Sequence, residues 1–74
     1  MYLKRLEDLR IDNDYTQEQV ANHLNIAREV YRRYEKGTRS LPIDCLVKLS
    51  KLYNTSTDYI LGLTNNKSLY RRIK

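Results

Sequence analysis

Tryptophan and phenylalanine are absent from this 74-residue chain, cysteine, histidine and proline occur once each, and glycine occurs twice. A single thiol, Cys45, excludes an internal disulfide, and one histidine, His23, leaves too few soft ligands for a zinc site of ordinary composition. No run approaches the roughly 18 consecutive apolar residues of a membrane span. The charged start MYLKRLEDLR has no apolar stretch of signal-peptide length. A cytoplasmic chain without a membrane role is expected. A Cys45–His23 nucleophile pair would need a third orienting group and an oxyanion site, and a chain this poor in glycine offers no evident pocket. No enzyme activity, cofactor or metal is therefore expected.

What is present is a small, basic, helical pattern. At this length the chain is one domain with at most a short appendage, burying only about 60% of the surface it exposes when unfolded. Good helix caps, or a partner subunit, must then carry much of the stability. The formal charge is +5. Residues 25–40 carry a local +3 and residues 67–74 a local +4, leaving the remainder at −2. Such a footprint makes a polyanion a candidate partner, although a charge run is more often a solvated face. The seven tyrosines raise the question of stacking on single strands. Tyr2, Tyr31, Tyr34, Tyr53 and Tyr59 fall at helical core spacings, however, leaving Tyr15 and Tyr70 as the expected exposed rings.

Helical spacing of apolar residues dominates, and two-residue alternation is not sustained anywhere, so the chain reads as all-α. Leu3, Leu6 and Leu9 form the stripe of a first helix through residues 2–12. Thr16, with Gln19 three residues on, is a capping box that starts a second helix at Gln17. That helix is expected to end near Leu24 with Asn25 as a left-handed cap. Val30, Tyr31 and Tyr34 mark a third helix closed by Gly37. Pro42 suits the first turn of a fourth helix whose broad apolar face comprises Ile43, Leu46, Val47, Leu49 and Leu52, so that this helix is expected to be central. Ser56 caps a short fifth helix, with Gly62 just beyond its end. Two short helices joined by a tight turn, the second bearing four basic residues, outline a helix-turn-helix.

The segments YTQEQVANHLNIAREVYRRYEKGTRSLP and DCLVKLSKLYNTSTDYILG resemble the phage-repressor or Cro-like helix-turn-helix family, also called XRE, over roughly residues 3–62. The joint spacing of the Thr-Gln start, Ala21, Ile26, the Tyr34-Glu35-x-Gly37 close and the D-Y-I-L-G at residues 58–62 carries the resemblance. It implies a compact five-helix lambda-repressor-like domain at residues 1–62; the basic tail at 63–74 starts polar and, from its own residues, reads either as disordered or as a last helix through Leu69, Tyr70 and Ile73. The implied function is sequence-specific, double-stranded-DNA-binding transcriptional regulation, as a repressor on a two-fold-related operator read through the major groove. A homodimer is implied, with Ile60, Leu61 and Leu63 as candidates for the subunit contact. The rival reading is an antitoxin or adaptor whose main partner is a protein, such as a toxin or an anti-repressor.

By the family's docking, Ala27, Arg28, Glu29, Arg32 and Arg33 face the bases. Arg28 is able to pair with guanine O6 and N7, while Glu29 either accepts from a cytosine amino group or orients Arg28 or a neighbouring arginine. Base reading and phosphate attraction stay open for Arg32 and Arg33. Gln17, Lys36, Arg39 and Arg10 are the phosphate candidates, and Arg10 with Glu35 matches a partly buried salt bridge between the first and third helices. Ala27 stands where a Ser or Thr cap is common, and Asn25 where Gly is usual. Tyr31 replaces a smaller β-branched residue and is expected to bury its ring and expose its hydroxyl.

Overall fold

A computed structural model describes residues 2–66. Within them the chain forms α1 (Lys4–Asp12), α2 (Gln17–His23), α3 (Arg28–Lys36), α4 (Ile43–Tyr53) and α5 (Thr57–Ile60), with no strand among the described residues. The expected tail with Leu69, Tyr70, Arg71, Arg72, Ile73 and Lys74 lies outside the described residues. α2 packs on α3, α1 lies against α3 and α5, and α4 meets α5. Leu3, Leu6 and Leu9 from the α1 region, Val20, Ala21 and Leu24 from α2, Tyr31 from α3, Leu49 from α4 and Ile60 from α5 make one core. Ala21 is fully buried, as required where two helices cross closely.

The helix starts follow the sequence. Thr16 and Gln19 make the full capping box: the Thr16 hydroxyl accepts from the Gln19 amide at 3.0 Å and the Gln19 side chain accepts from the Thr16 amide at 2.8 Å. Ser56 accepts from the Tyr59 amide at 3.0 Å. Pro42 lies one place earlier than expected, immediately before α4 rather than inside its first turn. No side chain caps α3, where Ala27 stands.

The helix ends share one device. A residue with positive φ follows each helix or its last turn: Asp14 (60°), Asn25 (59°), Gly37 (82°), Asn54 (52°) and Gly62 (80°). The next residue's N–H then donates to the carbonyl five residues back: Tyr15 to Arg10 at 3.0 Å, Ile26 to Ala21 at 3.0 Å, Thr38 to Arg33 at 3.1 Å, Thr55 to Ser50 at 3.0 Å and Leu63 to Asp58 at 2.8 Å. This is the Schellman closure, which satisfies carbonyls that a helix end would otherwise leave unpaired. Asn and Asp serve at three of the five positions because their short side chains tolerate the left-handed region better than other non-glycine residues.

Three expectations are corrected here. α4 is less central than its sequence stripe implied: Ile43 is 75% exposed and Val47 is also exposed, because only Leu49 and its neighbours on one face meet the core. Tyr2 is exposed while Tyr15 is half-buried against Tyr53, their ring centroids 6.1 Å apart. Ile60, a candidate for a subunit contact, is 1% exposed and belongs to the core. Leu61 is half-buried and Leu63 is exposed, so these two of the three candidates reach the surface. The segment that carries them is tied to α1 by Arg5, whose guanidinium lies 4.5 Å from the Tyr59 ring centroid and donates to the Thr64 carbonyl.

Candidate nucleic-acid interface

α3 has two chemically opposite faces. Tyr31, Tyr34 and Glu35 point into the protein at the three- and four-residue spacing that keeps side chains on one side of a helix. Arg28, Glu29, Arg32 and Arg33 are exposed. The helix is therefore held by one side and displays a basic surface on the other.

The inward anchor is a charge cluster around Glu35, whose residue is 0% exposed. Its carboxylate accepts from Arg10 Nε at 2.9 Å and Nη2 at 3.2 Å, from the Tyr31 hydroxyl at 2.8 Å and from Gln17 Nε2 at 3.2 Å. Three helices thereby converge on one carboxylate. Burial works against its charged form, but the hydrogen bonds from Arg10, Tyr31 and Gln17 outweigh that and hold its pKa below the ordinary value. The bond to Glu35 in turn raises the pKa of Arg10. Burial, with the Glu35 charge added, pushes the phenols of Tyr31 and Tyr53 well up.

This cluster revises several roles. The Tyr31 hydroxyl is buried rather than exposed, because Glu35 one helical turn away on the same face is its acceptor. Arg10, whose side chain is 13% exposed, directs Nε and Nη2 at Glu35 and Nη1 at the Tyr15 carbonyl, 3.1 Å away. Its guanidinium is thus occupied inside the domain instead of reaching for a phosphate. Gln17 is a member of the cluster, a role that its place at a helix start did not indicate. It still lines a shallow open concavity together with Arg10, Tyr15, Thr16, Glu18 and Arg28. Lys36 lies back against α1, its ammonium 3.8 Å from Glu7 and 5.3 Å from the Tyr2 ring centroid, which separates it from the arginines.

On the outward face, Arg28 occupies the first turn of α3 and makes no side-chain hydrogen bond among the described residues. Glu29 binds both other arginines. Arg32 donates Nε at 3.0 Å and Nη2 at 2.7 Å to its two oxygens, and Arg33 donates Nε at 3.4 Å. The Arg32 bond, with Arg33 adding to it, lowers the Glu29 pKa to about 2. Arg39 is exposed just beyond α3. The turn between α2 and α3, closed by the Ile26–Ala21 bond, fixes where this face lies relative to Gln17. Among the described residues no helix is long and apolar enough to cross a membrane.

Comparison with known proteins gives a consistent result. Residues 6–60 match a family model described as Helix-turn-helix. The chain is similar to the uncharacterized HTH-type transcriptional regulator YobD of Bacillus subtilis, with 46% identity over 66 residues, covering 89% of this chain and 59% of that protein. It is similar to the HTH-type transcriptional regulator ImmR of the same organism, with 48% identity over 59 residues, 80% of this chain and 46% of ImmR. A third relative is the cryptic phage CTXphi transcriptional repressor RstR of Vibrio cholerae, 40% identical over 53 residues, 72% of this chain and 48% of RstR. The chain spans about half the length of these relatives.

Proposed function

The chain belongs to the helix-turn-helix family, and from that premise we propose that it is a sequence-specific, double-stranded-DNA-binding transcriptional regulator, acting as a repressor. The observation that carries this reading is the exposed arginine face of α3, held in place from behind by the buried Glu35 cluster. A B-DNA major groove is about 12 Å wide and admits one helix, whose N-terminal side chains reach base edges. Arg28 and Arg32 are the base readers in this scheme. Arg33, Arg39 and the outward side of Gln17 hold phosphates. The names of the relatives, regulators and a repressor, support the same reading.

One such helix reads only a few base pairs. A homodimer on two half-sites about one helical turn apart supplies the selectivity needed against a genomic background. Leu61 and Leu63 are the surface positions proposed for that contact, and a regulator of this kind works in the cytoplasm, beside the chromosome. The test is a fluorescence-anisotropy titration against the DNA upstream of its own gene and against a scrambled duplex, at several salt concentrations. A preference of about a thousandfold, with affinity falling steeply with salt, is expected. Equal weak binding to both duplexes, across further genomic fragments as well, would refute the reading.

A further inference from the structure

Glu29, Arg32 and Arg33 stand at i, i+3 and i+4 on the outward face of α3, the spacing at which helix side chains meet. The two arginines are held differently. Arg32 lays its side edge on the carboxylate, Nε at 3.0 Å and Nη2 at 2.7 Å, so its planar guanidinium is fixed in both direction and tilt. A guanidinium has five N–H donors, and this contact leaves the end edge formed by Nη1 and Nη2 free. That edge carries two parallel donors, the pattern that pairs with N7 and O6 of guanine. Arg33 is held by Nε alone at 3.4 Å, a single loose contact that leaves its fork able to turn toward whichever phosphate is nearest.

We propose that Glu29 is a positioning and specificity-determining residue: its carboxylate holds Arg32 side-on so that the remaining edge of Arg32 reads guanine, and its negative charge offsets one of the two arginine charges and so weakens sequence-independent attraction to the backbone. The inference rests on the DNA-binding reading above and assigns Glu29 no base of its own. Against an arbitrary duplex, Glu29 offsets one of the two arginine charges and repels the backbone. Against a matched site, the pre-set Arg32 loses little side-chain freedom on binding, so its contact discriminates more sharply.

The experiment uses the full chain and duplexes randomised over about 20 base pairs, enough for two half-sites one turn apart. Wild type selects its preferred sequences from this pool. Anisotropy titrations then compare wild type, Glu29→Gln, Arg32→Ala and the double variant on those sequences and on a scrambled duplex. Glu29→Gln should bind the scrambled duplex several-fold more tightly. Its log K against log salt should steepen by about one phosphate per subunit, and its preference at one guanine position should fall about tenfold. In the Arg32→Ala background, Glu29→Gln should remove no further base preference, because the arginine it positions is gone. Arg32→Lys, which keeps the charge and loses the fork, should lose the same base preference with the salt slope unchanged. An unaltered preference and slope in Glu29→Gln, or an equal loss of affinity on every duplex, would overturn the inference alone. A wild type that enriches no sequence would overturn it together with the reading on which it rests.

Discussion

Glu35→Ala is the most decisive perturbation of the fold. It removes the acceptor of four hydrogen bonds, strips the Tyr31 hydroxyl of its acceptor and leaves the Arg10 guanidinium, in the interior, only the Tyr15 carbonyl. Breaking a buried ion pair from one side costs about 3–5 kcal/mol, and a stranded buried hydroxyl adds about 1–3. A domain of this size has roughly 4–11 kcal/mol of stability in total, so the variant should sit at the edge of unfolding. Urea titration followed by far-ultraviolet circular dichroism reads this directly. With a slope of about 1–3 kcal/mol per molar, the midpoint should fall by at least about 1 M. The companion variant, Arg10→Met with Glu35→Leu and Tyr31→Phe, removes the ion pair and the buried phenol together, leaves only the half-buried Gln17 of the cluster, and should recover most of the loss, because an apolar replacement needs no compensation. A Glu35→Ala unfolding free energy within about 1 kcal/mol of wild type would show that the pair behaves as a solvated one and would refute the argument. So would a triple variant no better than the single one. The pH dependence follows from the depressed folded pKa of Glu35. Its stabilisation is full above the unfolded value of about 4.3 and is lost as pH falls through the folded value. Wild type should therefore weaken with acid over that window, and Glu35→Gln, lacking the titrating group, should respond less steeply there.

Arg28→Ala should cost about 1–3 kcal/mol on the preferred duplex and relax the choice at one base position, measured by anisotropy on single-base variants; uniform losses on every sequence would refute a base-reading role. Thr16→Ala breaks the capping box at α2 and should lower stability by about 1 kcal/mol in urea, with an unchanged midpoint counting against it. Asn54→Ala places a β-carbon-bearing residue without a compensating amide at φ 52° and should cost about 1 kcal/mol, whereas Asn54→Gly should be neutral or stabilising. The opposite order in thermal melts would contradict the left-handed closure of α4.

The features legible in the sequence were those set by a few neighbouring residues. Thr16 with Gln19, Ser56, Asn25, Gly37 and Gly62 announce helix starts and stops because caps are local chemistry. Asp14 and Asn54 close helices in the same way but stand among other polar residues, where a left-handed position has no separate signature. The apolar stripe of α4 overstated its burial, since periodicity shows which residues share a face but not how far that face extends under its neighbours. Ile43 and Val47 lie on the part left uncovered. Tyr31 and Glu35 are four residues apart, so their contact was available to a spacing argument. The arrival of Gln17 at the same carboxylate was not, because it depends on how α2 is set against α3.

That placement joins the stability of the domain to its proposed chemistry. Gln17 donates to Glu35 from the start of α2, Arg10 from the end of α1 and Tyr31 from within α3, so a shift of any one helix stretches bonds shared with the other two. On the reverse side of the same helix, Glu29 repeats the device at the surface, one carboxylate orienting Arg32 through two bonds and touching Arg33 through one. Buried, the carboxylate sets where the helix lies; exposed, it sets which edge of a guanidinium the helix presents. The two acidic residues of α3 are separated by six positions and lie on different faces, so their substitutions should be separable in measurement. Loss of Glu35 should move the unfolding midpoint, and loss of Glu29 should move sequence preference while leaving that midpoint in place.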